Sequence, residues 1–379
     1  MPRVIDIKGY GLSSPYGSRN ALGHPLKLKS IGIIEVITDN GITGLGETYA
    51  GVYAPEMIKP AIKFLKPFVI GKDVLDIDQI HHKLSQIPFL GRNGFILSVS
   101  SAINIALWDI LGKLNNQPVW KLLTKKSRKK VRLYASSGSS VFTPQEIISD
   151  VQKISEDGYT AYKMRVGYQN WSDDLSRVEA AFKKLNGADL MIDAIMGTLD
   201  PPWDTKTAIS KSFELDQFKP FWLEEPLHPN NLEGLKKMHG VSPIPIATGE
   251  ALTGKFEFNQ YLDSGALDYI QPDVTHSGGI SAVVDIVHHA QKNKIKTALH
   301  VWGGAVAIAA NAHLAIACEQ IDILEMPMMQ LDITKDMFLV PLNICDGYLN
   351  APEEPGLGVR LTDEMKHKYK LVSGSGYRI

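Results

Sequence analysis

The amino-acid sequence predicts an α/β protein built on a barrel of repeated strand–helix units, with a smaller α+β unit in front of it. Eight short apolar runs recur from about residue 131: VRLYAS, TAYKMRV, LMIDAIM, PFWLEEP, IPIATGE, LDYIQPD, KTALHVW and IDILEMP. Helical patterns such as WSDDLSRVEAAFKKLNG lie between them, and polar residues close seven of the runs at intervals of 23 to 31 residues. Because a strand and its return helix need about 30 residues, we interpret the runs as eight barrel strands, whose C-terminal ends form the functional site.

The N-terminal segment has a different pattern from the barrel. The stretch IGIIEVITDNGITGLGE (31–47) alternates around the turn sequence DNG, which predicts a β-hairpin because asparagine and glycine tolerate the positive φ of a tight turn. Apolar residues at helical spacing follow at about 54–66, 75–87 and 97–115. Strands followed by segregated helices are typical of an α+β unit.

These patterns predict the domain boundaries. Residues 1–127 form the α+β unit and residues 128–339 the barrel, while the tail, 340–379, packs back on the N-terminal unit. Two N-terminal segments, SSPYGSRNALGH (13–24) and YAGVYAPE (49–56), are rich in Gly, Ser and Pro and have a length suited to a lid. Simple surface connections are the alternative interpretation of these two segments.

Composition narrows the class of protein. The chain has 379 residues, 44% of them hydrophobic, and a formal net charge of −1, which gives no attraction to nucleic acid or membrane surfaces. Two cysteines cannot form a disulfide framework, the N-terminus lacks the features of a signal peptide, and the run AVAIAANAHLAIA is too short to cross a bilayer. We therefore expect a soluble cytoplasmic protein that binds neither nucleic acid nor membranes.

Three carboxylates close three consecutive runs: Asp193, Glu224 and Glu250. Neighbouring strands lie about 4.8 Å apart, so these side chains would crowd one patch of the barrel mouth, and their repulsion would force protonation or distortion without a cation. A hard divalent ion prefers oxygen ligands, and the lack of a nearby cysteine or histidine pair disfavours zinc. Helix capping or a surface ion pair would explain one such acid better than three in succession. We therefore predict a Mg²⁺ site.

Basic residues and a histidine close other runs. Lys163 and Arg165 are two positions apart on one strand, so both face the barrel interior, where they could approach an anionic substrate or serve as charge partners of the acids. Asp273 and His300 close two successive runs. A carboxylate bonded to one imidazole nitrogen fixes the tautomer and raises the basicity of the other nitrogen, which favours a general base over a structural histidine.

The motifs K-M-R, IDA, LEEP, TGE, QPD…GGI and LHVWG, in that order, and the helix sequence SAINIALWDILGK resemble the mandelate racemase subgroup of the enolase superfamily over nearly the whole chain. The resemblance implies a modified TIM barrel of the (β/α)7β type with an N-terminal α+β capping domain, whose loops cover the barrel mouth. It implies proton abstraction next to the carboxylate of a small-molecule substrate, an enediolate stabilised by Mg²⁺, and a homo-oligomer. The implied Mg²⁺ ligands are Asp193, Glu224 and Glu250, the implied base dyad is His300 with Asp273, and Glu325 is implied to assist at the substrate carboxylate.

Two departures from the family pattern bear on the reaction. Two-base racemases of the subgroup carry a lysine where this chain has Arg165, whose guanidinium stays protonated and is a poor proton shuttle. If Lys163 contacts the substrate carboxylate, His300 is the one remaining base, and it can remove the α-proton and then protonate a departing β-hydroxyl on the same face. Ile195 stands where many relatives carry asparagine, which alters the pocket wall.

The sequence therefore predicts a dehydratase, a hydro-lyase of carbohydrate catabolism that converts an acid sugar, either an aldonate or an aldarate, to a 2-keto-3-deoxy acid. A racemase, an epimerase or a sugar-lactone cycloisomerase would share the enediolate and differ only in its fate. An inactive barrel retained as a binding protein is a more remote alternative.

Overall fold

The N-terminal part of the chain folds as an antiparallel sheet covered by helices. The computed structural model describes residues 2–16, 22–24, 26–329 and 331–378. The strands are β1 (Val4–Pro15), β2 (Leu28–Thr38) and β3 (Thr43–Thr48). The helices are α1 (Ala50–Tyr53), α2 (Ile58–Leu65), α3 (Ile77–Ser85), α4 (Gly94–Leu114) and α5 (Val119–Leu123). The predicted hairpin is confirmed as β2–β3, with Gly41 in its turn at φ 84°, and the three predicted helices are α2, α3 and α4.

Helix α4 is the core of this unit. A Cβ placed at Gly46 would lie 1.8 Å from the carbonyl oxygen of Ala102, so glycine is required where β3 crosses the helix backbone. By length and composition alone α4 could cross a membrane, but 72% of its apolar window is buried inside the protein. We therefore interpret α4 as the buried core helix of the N-terminal unit.

Eight parallel strands close into a barrel. In chain order they are β4 (Lys130–Ser136), β5 (Ala161–Arg165), β6 (Asp189–Asp193), β7 (Trp222–Glu224), β8 (Ile246–Thr248), β9 (Tyr269–Ile270), β10 (Lys296–Leu299) and β11 (Ile321–Pro327). Each strand pairs with the next, and β11 closes on β4, where Leu324 lies opposite Leu133.

Helices connect the barrel strands. In this stretch of the chain, which is described throughout, they are α6 (Pro144–Glu156), α7 (Trp171–Leu185), α8 (Thr205–Leu215), α9 (Leu232–His239), α10 (Gly254–Leu262), α11 (Gly279–Lys292) and α12 (Ala305–Ala317). The predicted (β/α)7β barrel with an N-terminal α+β cap is thus confirmed, and the eight apolar runs of the sequence are its eight strands.

The parallel register brings the C-terminal ends of neighbouring strands to one level. Asp193 at the end of β6 lies opposite Arg165 on β5 and Glu224 on β7. An apolar layer fills the barrel interior beneath them, formed by Tyr134, Ala161, Met191, Trp222, Ala247, Tyr269, Ala298 and Ile323. This layer fills the barrel below the strand ends, and the polar residues at those ends line the barrel mouth above it.

The C-terminal tail connects the barrel with the N-terminal sheet. It contains α13 (Asp332–Met337), β12 (Ile344–Cys345), β13 (Tyr348–Asn350) and α14 (Asp363–Lys368). Strand β13 pairs antiparallel with β4, an extension of the barrel sheet that the sequence pattern did not predict. Beyond α14 the chain returns to β1, where Lys370 bridges Leu12 and the Ser375 hydroxyl lies 2.9 Å from that of Ser13. The division at residues 127 and 339 stays a prediction: the contacts of Lys370 and Ser375 with β1 agree with it, whereas β13 pairs with the barrel.

The buried carboxylate of Asp109 on α4 connects three parts of the chain. It accepts hydrogen bonds from the backbone N–H of Leu45 at 2.9 Å and of Leu357 at 2.8 Å, and it pairs with Lys113 at 2.7 Å. Asp109→Ala would leave both N–H groups without a partner in the interior and would remove the counterion of Lys113, whose Nζ keeps its hydrogen bond to the Thr43 carbonyl. We therefore expect the free energy of unfolding to fall by about 3 kcal/mol in urea or thermal denaturation.

Glu179→Ala is the matched control, because Glu179 forms an exposed ion pair on α7. It should change the free energy of unfolding by less than about 0.5 kcal/mol. A loss at Asp109 no larger than this control would show that the carboxylate does not hold the tail against the cap.

Candidate active site

Three carboxylates meet at the barrel mouth. Asp193 ends β6, Glu224 ends β7, and Glu250 follows β8 by two residues, and one oxygen of each lies within 4.8 Å of the others. Glu224 is fully buried and Asp193 nearly so. Burial raises the pKa of Glu224 to about 7, against the opposing effect of Lys163. Three converging carboxylates have the donor chemistry that a hard divalent cation requires.

Local contacts hold these carboxylates in place. The Ile195 backbone N–H donates to Asp193 Oδ1 at 2.9 Å, and the indole N–H of Trp222 donates to Glu224 Oε2 at 2.9 Å. Glu225 has a left-handed backbone, φ 41°, and its carboxylate points toward Gly197, where a Cβ would lie 2.7 Å from Oε2. Of the two adjacent glutamates, Glu224 is therefore the one that joins the carboxylate cluster.

The ammonium group of Lys163 lies among the acids. Its Nζ is 2.6 Å from Glu224 Oε1, 3.0 Å from Glu325 Oε1 and 3.7 Å from Asp193 Oδ2, and the side chain is completely buried. Burial alone would lower the pKa of Lys163, but the carboxylates of Glu224 and Glu325 outweigh it and hold the pKa well above its usual range. These contacts match the interpretation of Lys163 as a charge partner of the acids, and its contact with a substrate stays a prediction.

Arg165 lines the cavity at the barrel mouth. Its Nε lies 3.8 Å from Asp193 Oδ2, one terminal nitrogen donates to the Ser137 carbonyl at 2.7 Å, and the guanidinium carbon is 4.9 Å from the centre of the Trp302 ring. Burial would lower the pKa of Arg165, but Asp193 and Glu325 raise it further above its ordinary value. The guanidinium therefore stays cationic and presents a fixed positive charge to the cavity.

His300 and Asp273 form a hydrogen-bonded pair. His300 Nδ1 donates to Asp273 Oδ2 at 3.0 Å, while its Nε2 lies 3.3 Å from Glu250 Oε2. The other oxygen of Asp273 accepts from the Thr275 N–H and from Asn311 Nδ2, at 2.9 and 3.0 Å, which fixes the carboxylate. Burial disfavours the imidazolium, but Glu250 and the other nearby carboxylates raise the pKa of His300 to about 9.

Glu325 on β11 completes the ring of strand-end groups. Its Oε2 accepts the backbone N–H of Val301 at 2.8 Å and lies 3.9 Å from His300 Nε2. Burial raises the pKa of Glu325, but Lys163 and His300 lower it to about 2. The structure thus brings all eight residues singled out in the sequence to one end of the barrel, and their individual roles stay predictions.

The N-terminal unit and the tail cover this end of the barrel with aromatic side chains. Successive ring centres lie 4.1 to 6.3 Å apart along His300, Tyr49, Tyr53, Tyr377, His24, Tyr16 and Trp302. All of these residues line one cavity, together with Ile195. The described parts of both predicted lid segments therefore contribute to the cavity, whereas residues 17–21 lie outside the described part of the chain.

Two buried charges near the site were missed in the sequence. Lys29 on β2 places its Nζ 3.7 Å from the centre of the Trp302 ring, and burial lowers its pKa to about 7 although Glu47 opposes the shift. Glu47 on β3 accepts the N–H of Gly304 at 2.6 Å and of Ala307 at 3.0 Å, and burial raises its pKa to about 7. Residues 29–34 of β2 are buried on both faces of the strand, so an alternating pattern could not have indicated Lys29.

Comparison with known protein families covers most of the chain. Residues 146–365 match the family described as "Enolase C-terminal domain-like". Residues 23–124 match the family described as "Mandelate racemase / muconate lactonizing enzyme, N-terminal domain".

Individual relatives are similar over nearly their whole length. L-talarate/galactarate dehydratase of Salmonella typhimurium is 31% identical over 93% of this chain and 86% of its own. D-galactonate dehydratase of Pectobacterium atrosepticum is 28% identical over 88% of this chain and 89% of its own.

Solved structures show the same fold. A mutant of L-talarate/galactarate dehydratase liganded with Mg and L-glucarate has a TM-score of 0.86 at 29% identity, over 98% of this chain and 92% of that one. The 3,6-anhydro-D-galactonate cycloisomerase from Zobellia galactanivorans has a TM-score of 0.86 at 28% identity, over 97% of this chain and 99% of that one. The two family matches and the full-length relatives place this chain in the mandelate racemase/muconate lactonizing enzyme family of the enolase superfamily.

Proposed function

We propose that the protein is a Mg²⁺-dependent hydro-lyase that removes water from an acid sugar, an aldonate or an aldarate, and releases a 2-keto-3-deoxy acid. The observation that carries the proposal is one histidine–aspartate pair beside a three-carboxylate cluster, with an arginine where a second base would stand. The acid-sugar dehydratases among the relatives support lyase chemistry.

The carboxylate cluster would hold the metal. Asp193, Glu224 and Glu250 offer oxygen donors from three adjacent strands, and a solved relative was liganded with Mg. When bound, Mg²⁺ supplies positive charge that stabilises the enediolate of the substrate.

His300 is the proposed base. Asp273 holds its Nδ1–H, so Nε2 is the nitrogen that can take a proton. Glu250 raises the pKa of His300, and this effect weakens when a cation takes up the charge of Glu250, which leaves the imidazole free to accept the α-proton. The imidazolium then returns that proton to the departing β-hydroxyl, so one residue serves both steps on the same face.

Arg165 and Lys163 are proposed to bind and position. The guanidinium cannot act as a second base, because its pKa is raised further by Asp193 and Glu325. If Arg165 is the group on the opposite face, that face lacks a base among the described residues, and racemisation is disfavoured relative to elimination. Lys163 holds Glu224 and Glu325 at 2.6 and 3.0 Å and supplies positive charge beside the reacting carboxylate.

Replacement of the base tests the reaction. We expect His300→Asn to abolish both the loss of water and the exchange of the α-proton with D₂O, with a fall of at least about a thousandfold in kcat, because general-base catalysis is lost. NMR of acid sugars in D₂O and a colorimetric assay for keto acids measure the two events separately.

His289→Asn is the matched control, since His289 also pairs with an aspartate, Asp263 at 2.7 Å, but on the outside of the barrel. It should retain full activity. Deuterium that enters both epimers of a substrate without keto acid would favour an epimerase, and a rearranged product without water loss would favour a cycloisomerase.

Removal of the internal ammonium group tests the metal site. Lys163→Met removes the ammonium group that Glu224, Asp193 and Glu325 share, so we expect it to lower the free energy of unfolding in EDTA by about 3 kcal/mol. We also expect Mg²⁺ to raise the Tm of this variant by more than it raises the Tm of the wild-type protein, because the ion replaces a missing positive charge.

Lys296→Met removes an exposed lysine from an ion pair with Asp322 and serves as the control. Thermal denaturation in EDTA and in Mg²⁺ gives all the required values. Identical Tm values with and without Mg²⁺ in every variant would refute a divalent metal site and support the binding-protein alternative.

A further inference from the structure

Among the described residues, two polar atoms of the cavity wall lack a hydrogen-bond partner. His24 Nε2 and Ser140 Oγ are both buried without a partner, although both residues line the cavity at the barrel mouth. His24 is 7% exposed and Ser140 is 1% exposed. A buried polar atom without a partner costs about 1–3 kcal/mol, so these two atoms mark places where a ligand group would be favoured.

The hydrogen bond of the other ring nitrogen fixes the tautomer of His24. Nδ1 lies 3.1 Å from the Leu28 carbonyl oxygen, and a carbonyl oxygen only accepts, so Nδ1 carries the hydrogen. In the neutral ring Nε2 therefore presents a lone pair. Burial and the nearby charge of Lys29 lower the pKa of His24 to about 4, which keeps the ring neutral at pH 7.

His24 lies on the aromatic wall of the cavity, where its ring contacts Tyr16 at 4.1 Å and Tyr377 at 5.1 Å. Along this wall three tyrosines separate His24 from His300 on one side, and Tyr16 separates it from Trp302 on the other. Among the described residues, the cationic side chains that line the cavity are Arg165 and His300, whose pKa is raised. Both lie beside the carboxylate cluster. A substrate whose carboxylate is held at that cluster would extend its far end toward His24.

The geometry points to His24 as an acceptor for a hydroxyl group at the far end of the substrate, so that the enzyme prefers acid sugars with one carboxylate, aldonates, over those with two, aldarates. This inference rests on the proposed function and narrows its substrate class. A hydroxyl donates a hydrogen to Nε2, whereas a carboxylate at pH 7 has only lone pairs and would face another lone pair in a buried site.

Matched pairs of substrates test the preference. Each aldonate is assayed beside the aldarate of the same configuration, with keto-acid formation as the readout. We expect the wild-type enzyme to favour the aldonate by at least about tenfold in kcat/KM. An aldarate would leave both its far carboxylate and His24 Nε2 without a hydrogen-bond partner.

His24→Asn tests the residue itself. An asparagine amide can still donate to the Leu28 carbonyl but does not reach the position of Nε2, so we expect kcat/KM for the aldonate to fall about tenfold, mainly through KM. With an aldonate that lacks its terminal hydroxyl, wild type and His24→Asn should be equal, because the partner is already absent. A purely structural role for His24 would lower activity on both substrates alike.

His81→Asn, on α3 and outside the residues that line this cavity, is the control and should leave all values unchanged. Two results would overturn this inference while the dehydratase function stands. One is that aldarates react as well as aldonates, and the other is that His24→Asn leaves KM for the aldonate unchanged. Failure of every acid sugar to yield keto acid would instead refute the proposed function, and the inference with it.

Discussion

The crowding of acids at one end of the barrel is the constraint on which the site depends. Five carboxylates, Asp193, Glu224, Glu250, Asp273 and Glu325, lie against three basic groups, Lys163, Arg165 and His300, so acids outnumber bases in this cluster. Burial prevents water from screening that excess. A divalent cation would offset part of this excess, and the pKa of each charged residue in the cluster depends on the others.

The cap takes part in this arrangement through one buried acid. Glu47 on β3 accepts the N–H groups of Gly304 and Ala307 at the start of α12, a few residues beyond His300. A carboxylate at a helix N-terminus is favoured by the helix dipole. The position of the cap is therefore coupled to the segment that carries the proposed base, and the aromatic wall that the cap contributes is held in register with the catalytic end of the barrel.

The strand-end residues could be predicted from the sequence because the parallel register converts a regular spacing along the chain into proximity. Asp193 and Glu224 are 31 residues apart and directly opposite each other in the sheet. Lys29, Glu47 and Tyr377 reach the site through the docking of the cap and the tail on the barrel, and such long-range contacts leave no periodic signal. The pairing of β13 with β4 was missed for the same reason, since a three-residue strand has no pattern of its own.

The barrel groups alone do not separate the reactions or the substrates of this family. A dehydratase and a cycloisomerase are both similar to this chain over nearly its full length, so overall similarity does not distinguish the two reactions. At the barrel mouth Lys163, Arg165 and a cation held by the three carboxylates would attract a carboxylate. On the aromatic wall the imidazole of His24 lies between the rings of Tyr16 and Tyr377. Opposite preferences at these two places would fix the direction in which an acid sugar enters, and with it the carbon that faces His300.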